Sequence, residues 1–211
     1  FFTDADRLFY LKLLERHSEE HRVRVIAWCL MSNHSHLIVI PDEEDALSNM
    51  MERLAGEYAK FLNSRLRRSG HLWKDRYFAC VLDEKHFACA LRYVELNPVR
   101  ARLTSRAEEY RWSTAAVHLG LKKAPPWLDT ETFESRFDLD YWRLALGAKQ
   151  PRRELAAIRK ATRHGIPLGS ARFVAELEER FGVAFPKPKQ ADRKAPQKQR
   201  GHTLETSFST A

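Results

Sequence analysis

Ala27-Trp28-Cys29-Leu30-Met31-Ser32-Asn33-His34-Ser35-His36-Leu37-Ile38-Val39-Ile40 is an apolar run, a polar break at Ser32-Asn33, and a second run that opens on two histidines. Val23, Val25 and Ile26 ahead of it are β-branched, so residues 21–30 predict one strand and residues 34–40 a second, closed by Pro41-Asp42. The connection at Met31-Ser32-Asn33 is tight, which predicts an antiparallel pair with His34 beside the turn. Residues i and i+2 of a strand share a face, so His34 and His36 would offer their imidazoles side by side. Two neutral ring nitrogens aimed at one point suit two ligands of a single metal ion. The competing reading is a pair of strand histidines that only hydrogen-bond at a sheet edge.

Working outward, Thr3-Asp4 can cap a helix through residues 7–14, which are apolar at helical spacing. Residues 45–68 predict a long amphipathic helix with Leu47, Met50, Met51, Leu54, Tyr58, Phe61, Leu62 and Leu66 on one face, stopped at Ser69-Gly70. Residues 77–82 read as a short strand. Asp83 is the N-cap expected for a helix over 84–96, which Pro98 kinks or breaks. Tyr93 and Asn97, four residues apart, share a face of that helix. Helix, strand, strand, helix, strand, helix becomes an α+β, ferredoxin-like split βαβ sheet once a first strand is supplied before Phe1. The chain thus divides into a unit over 1–120, an irregular connector over 121–150, a small helical unit over 151–183 and a basic tail over 184–211. The tail is too poor in apolar residues to fold. Within the helical unit, residues 152–163 and 171–181, the latter capped by Ser170, form two helices joined as in a helix-turn-helix or an ordinary helical hairpin.

The net charge is +8 over 211 residues, and it is unevenly placed. Residues 53–76 carry seven cations against two carboxylates, and residues 186–200 carry six against one. Clustered basicity on a nearly neutral body points to a phosphate polymer. Trp73 and Tyr77 beside Lys74 and Arg76 mix flat rings with cations, as single-stranded nucleic acid binding requires, although a ring packed on the preceding helix reads the same. No apolar run approaches the ~20 residues that span a bilayer. Three cysteines without CxxC spacing argue against a disulfide framework or a thiolate zinc site.

Three motifs in order, Trp28-Cys29-Leu30-Met31-Ser32-Asn33-His34-Ser35-His36-Leu37, Gly70-His71-Leu72-Trp73-Lys74-Asp75-Arg76-Tyr77 and Arg92-Tyr93-Val94-Glu95-Leu96-Asn97-Pro98-Val99-Arg100-Ala101, resemble the REP-associated tyrosine transposases, single-tyrosine HUH enzymes of small bacterial insertion sequences. The Tyr110-Arg111-Trp112-Ser113 stretch and the Ile166-Pro167-Leu168-Gly169-Ser170 turn are similar to that family's C-terminal half. The resemblance implies that Tyr93 is the nucleophile, on an added catalytic helix, and that His34, His36 and Asn97 are the metal ligands. Without the motifs, Tyr93 reads as core and Asn97 as a helix-ending residue. The middle of the HUH motif is normally bulky and apolar; Ser35 stands there, on the other face of the strand, and is expected to weaken packing.

The resemblance further implies a metal-dependent single-strand DNA endonuclease and strand transferase that cleaves near hairpin repeats through a 5′-phosphotyrosine intermediate. It implies Mg2+ or Mn2+, whereas nitrogen ligands alone would favour manganese or zinc. Arg65, Arg67, Arg68, Lys74 and Arg76 are expected to hold phosphates and Trp73 to stack on a base. The implied partner is single-stranded or hairpin DNA of repetitive palindromic elements, in a cytoplasmic, nucleoid-associated bacterial setting, with a monomer slightly favoured and no membrane. The alternative is a non-catalytic DNA-binding protein that retains the transposase fold.

Overall fold

The computed structural model describes residues 1–186; the greater part of the basic tail, from residue 187 onward, lies outside the described residues. The architecture is α+β. Helix α1 (Asp4–Glu20) begins at Thr3, whose side chain accepts from the Asp6 amide while the Asp6 carboxylate accepts from the Thr3 amide, a capping box. Strands β1 (Val23–Leu30) and β2 (Ser35–Pro41) pair antiparallel, with Leu30 opposite Ser35, Cys29 opposite His36 and Trp28 opposite Leu37. The register shifts between Val25 and Ala27. This β-bulge lets the consecutive Ile26 and Ala27 enter the same core cluster.

Seven of the eight residues of β1 are buried, because the strand is covered on both faces. On one side lie α1 and α2 (Ala46–Arg65), whose Met50, Leu54, Tyr58 and Leu62 meet Tyr10, Leu13 and Leu14 together with Val23, Val25, Trp28 and Leu30. Phe9 stacks on Phe61 at 3.9 Å between centroids. Each such side chain removed from water stabilises the layer by about 1.5–3 kcal/mol. On the other side lies α3 (Glu84–Glu95), started by Asp83, whose side chain accepts from the His86 amide. It buries Phe87, Ala90, Leu91 and Val94, a three-and-four spacing, against Ile26, Ala27, Cys29 and Ile38. Leu96 caps α3, and α4 (Asn97–Arg100) follows at once. Pro98 supplies no backbone donor there, while the Arg100 amide reaches back to the Leu96 carbonyl at 3.0 Å.

The strand predicted over residues 77–82 does not form. Its composition is strand-like, yet among the described residues it finds no strand edge, and only Leu82 makes a single bridge, to Leu168. The sheet of the described residues therefore has two strands. The free edge of β1 is occupied instead by irregular chain: Leu30 N–H donates to the Trp112 carbonyl at 2.8 Å, Thr114 N–H to Trp28 at 3.1 Å and Asp129 N–H to Val25 at 2.9 Å. These bonds satisfy buried backbone groups that a neighbouring strand would otherwise pair.

The remaining elements are short. A 3-10 turn (Ala107–Glu109), α5 (Ala115–His118), α6 (Glu131–Glu134) and α7 (Leu139–Gly147) precede α8 (Arg152–His164) and α9 (Ala171–Phe181). Leu119, Phe133, Trp142 and Leu146 enter the α3 side of the core, so residues 115–146 contribute to it directly. Helix α8 packs on α3 through its buried Ile158 and Ala161 face. It ends at Gly165, whose left-handed backbone (φ 60°) suits a residue without Cβ. Ser170 caps α9 as its sequence predicts, accepting from the Phe173 amide at 3.2 Å. No helix of the described residues is long and apolar enough to cross a membrane.

Candidate active site

The period-two alternation of β2 sorts its side chains cleanly. Leu37 and Val39 pack with the α1–α2 layer, whereas Ile38 and Ile40 pack with the α3 layer. His36 shares the face of Ile38 and meets Tyr93 of α3 edge to face, with centroids 5.5 Å apart. Ser35, on the opposite face, lies 3.0 Å from the hydroxyl of the buried Tyr10. The expected packing defect is thus a hydrogen bond: burial pushes the Tyr10 phenol up to about 12, and Ser35 gives its hydroxyl a partner.

His34 and His36 bring their Nε2 atoms to 3.1 Å. Two nitrogens each about 2.1 Å from one ion sit about 3.0–3.4 Å apart at right-angled to tetrahedral geometry, so the pair fits a common cation. Both rings are held toward the neutral form. Burial, then the neighbouring His34 and Arg100, brings His36 down to about 3, and partial loss of water also lowers His34. The tautomer of His34 is set by Asn33, whose Oδ1 lies 2.7 Å from Nδ1. With Nδ1–H donating there, Nε2 is left with a free lone pair.

Asn97 opens α4 one turn beyond Tyr93, and its amide nitrogen is buried without a partner among the described residues. Amide nitrogen and oxygen are distinguished only by their neighbours, so the same buried end can present the oxygen donor a hard cation takes. Two imidazoles and one amide are a donor set that could hold a divalent metal while leaving positions open.

Arg100 is the residue that sequence reasoning missed. Its guanidinium lies 4.3 Å from the centroid of the Tyr93 ring, and its Nη2 donates to the Tyr93 backbone carbonyl. Gln150, which holds the Cys89 carbonyl at 2.9 Å, lies 3.5 Å from Arg100 Nη1. Arg100 Nε is buried with no partner among the described residues. The signal was available, since positions 93, 97 and 100 are spaced i, i+4 and i+7. Behind the site, the buried Glu95 carboxylate accepts from Thr114 Oγ1 at 2.8 Å, from Trp142 Nε1 at 2.9 Å and from His118 Nδ1, tying α3 to the C-terminal helices.

The residues expected to bind DNA differ in their surroundings. Arg65, itself exposed, places Nη2 2.8 Å from a carboxylate oxygen of the buried Asp6 on the α1–α2 side of the sheet. Trp73 donates its indole N–H to the Ala55 carbonyl at 2.9 Å and packs near Tyr58, so the packing reading describes most of its ring. Arg68 is held by Asn63, and Arg67, Lys74 and Arg76 are exposed. A separate group, His17, Glu20 and His21, gathers ligand atoms within 4.8 Å of one another on the last turn of α1 and could also hold a metal. His17 there is already engaged by Glu20 at 3.0 Å and Glu57 at 3.3 Å.

Residues 1–97 match the family model described as "Transposase IS200 like". That stretch holds both strands, α1–α3 and all four candidate residues His34, His36, Tyr93 and Asn97, and it supports a transposase-like, DNA-processing relationship for this part of the chain. No curated protein and no solved structure matches the chain.

Proposed function

We propose that the protein is a single-strand DNA endonuclease and strand transferase of the REP-associated tyrosine transposase type, acting next to hairpin repeats. The observation that carries the reading is one juxtaposition: the paired Nε2 atoms of His34 and His36, 3.1 Å apart, beside the ring of Tyr93. A divalent ion, Mg2+ or Mn2+, held by His34, His36 and Asn97 would draw charge from the scissile phosphate and make phosphorus more electrophilic.

The chain's own groups supply the rest. Tyr93 Oη attacks phosphorus, loses its proton and forms a P–Oη bond, while the P–O3′ bond breaks and the departing 3′-oxygen gains a proton. The products are a 5′-phosphotyrosine and a free 3′-hydroxyl. Attack by the 3′-hydroxyl of a second strand reverses the step, so strands are joined without a nucleotide triphosphate. A phenol is a weak nucleophile at neutral pH, which makes alignment the chief requirement. Arg100 meets it by holding the backbone of Tyr93 and lying over its ring.

The test is incubation with labelled hairpin DNA bearing single-stranded flanks, with Mg2+ or Mn2+, resolved on a denaturing gel. A covalent protein–DNA band that needs metal and disappears in Tyr93→Phe is expected. Tight binding with no such band in either metal would overturn the nuclease reading and favour a DNA-binding protein that keeps the fold.

A further inference from the structure

Helix α8 turns its buried stripe, Ile158 and Ala161, toward α3 and leaves the opposite side in water. That side carries Arg152, Arg153, Arg159, Lys160 and Arg163, all exposed, with Ala156 and Ala157 between them. None of the five cations makes an ion pair with a described residue. Several exposed arginines elsewhere on the surface do: Arg22 pairs with Glu43, Arg24 with Asp42 and Asp129, Arg136 with Glu84, Arg143 with Asp140.

The cationic side comes near the candidate active site at Arg159. Arg159 is close enough to act electrostatically on Arg100, the residue stacked on Tyr93. Two guanidiniums within each other's field repel, and an anion near both relieves that repulsion. The stripe from residue 152 to 163 rises about 16 Å, roughly half a turn of duplex DNA. Its residues are cations and alanines with no Phe, Tyr or Trp. Single-strand platforms need rings on which bases stack. A ring-free cationic helix with small residues between the charges instead lets a rigid backbone approach closely.

We propose that the solvent side of α8, through Arg152, Arg153, Arg159, Lys160 and Arg163, binds the sugar–phosphate backbone of double-stranded DNA, namely the stem of a hairpin whose flank reaches Tyr93. The position of the flank rests on the nuclease reading above; the duplex-binding surface does not. The stem is held by its phosphates and recognised as a duplex, without base readout from this helix.

Anisotropy titrations across a salt series, on the full chain, test this with two probes: a hairpin carrying a single-stranded flank, and the flank alone. In the triple variant Arg159→Gln/Lys160→Gln/Arg163→Gln, hairpin affinity is expected to fall at least tenfold. The slope of log K against log salt should shrink by about 2–3, since each lost phosphate contact removes about 0.9. Affinity for the flank alone should stay within twofold, and an unchanged circular dichroism spectrum reports an intact fold. Equal loss on both probes, or hairpin binding within twofold of wild type at an unchanged slope, overturns the proposal. A wild-type chain that binds stems through α8 yet forms no adduct overturns the nuclease reading and leaves this one standing. Adduct formation with α8-independent stem binding does the reverse.

Discussion

His36 and Tyr93 sit edge to face, with ring centroids 5.5 Å apart and planes at 84°, and a cation covers the tyrosine on another side: Arg100, 4.3 Å from its centroid. A strand residue and a residue beyond the helix break thus fix one phenol. The arrangement depends on the Pro98 break, because Arg100 reaches back past it to the Tyr93 carbonyl. Tyr93 is held by its backbone and by its ring.

Arg100 should therefore govern rate more than affinity. Arg100→Met keeps an apolar stem over the ring but removes the donors to Tyr93 and Gln150. Single-turnover adduct formation is expected to fall on the order of tenfold or more, a loss of at least ~1.4 kcal/mol of transition-state stabilisation. DNA affinity by anisotropy should change by less than about threefold, one phosphate contact's share at moderate salt. Arg100→Lys should recover little, since a point charge cannot both hold the carbonyl and lie flat on the ring. Full activity in Arg100→Lys would show that charge alone suffices.

Asn33 is exposed and outside the predicted ligand set, yet it orients His34 through the 2.7 Å contact to Nδ1. Asn33→Ala frees that ring to rotate and to exchange tautomers. Mn2+ affinity, followed by titration calorimetry or electron paramagnetic resonance, is expected to drop about 10–100-fold, as for other residues that orient a ligand. Folding stability should move by no more than about 0.5 kcal/mol, as for other surface changes. Unchanged Mn2+ binding would show that His34 needs no help from Asn33.

Glu95 lies two residues beyond Tyr93 and is wholly buried, with three donors on its two oxygens. Glu95→Ala strands the Thr114 hydroxyl, the Trp142 indole and the His118 ring at once. Hydrogen bonds to a charged acceptor contribute about 1.5–3 kcal/mol each, so a loss of at least ~3 kcal/mol is expected. For a chain of this size that lowers Tm on the order of 10 °C. Emission from Trp142 should shift as its N–H loses its acceptor. Glu95→Gln, which keeps one acceptor oxygen, should lose less.

Much of this layout was legible in the sequence because it is local. The caps at Thr3, Asp83 and Ser170, the three-and-four spacing of α2 and α3, and the strand pair around His34 and His36 all follow from short-range rules. The absent strand over 77–82 was not legible, since strand formation depends on a partner edge and Tyr77-Phe78-Ala79-Cys80-Val81-Leu82 has the right composition without one. Nor was the cover over β1 by Trp112, Thr114 and Asp129, irregular chain that carries no periodicity to read. In the candidate site, residues close in sequence or in motif were found. Asn33 and the Arg100–Gln150 link escaped notice because their roles are contacts, which only the fold creates.

Acid should weaken the α1–α2 layer through Asp6. Burial pushes its carboxyl up, but the amides of Thr3 and Phe2, the Thr3 hydroxyl and Arg65 outweigh that and hold it below its ordinary value. A carboxyl lowered in the folded state binds protons less readily there than in the unfolded chain. Its contribution is complete above the unfolded value of about 3.9 and fades as pH falls through the lower folded value. Asp6→Asn removes the charge that faces Arg65 and weakens the capping box, a cost of about 1–2 kcal/mol near neutrality by the usual value of a cap. Thermal melts of both proteins should then differ by several degrees at pH 7, and the gap should shrink as pH falls below the ordinary carboxyl range and through the lowered folded value, because protonation makes wild type resemble the variant. Glu57, Asp83 and Asp129, also held low, will lower both curves together in acid, so the difference between them isolates Asp6. A gap that persists undiminished to pH 2 would mean that Asp6 acts by shape and not by charge.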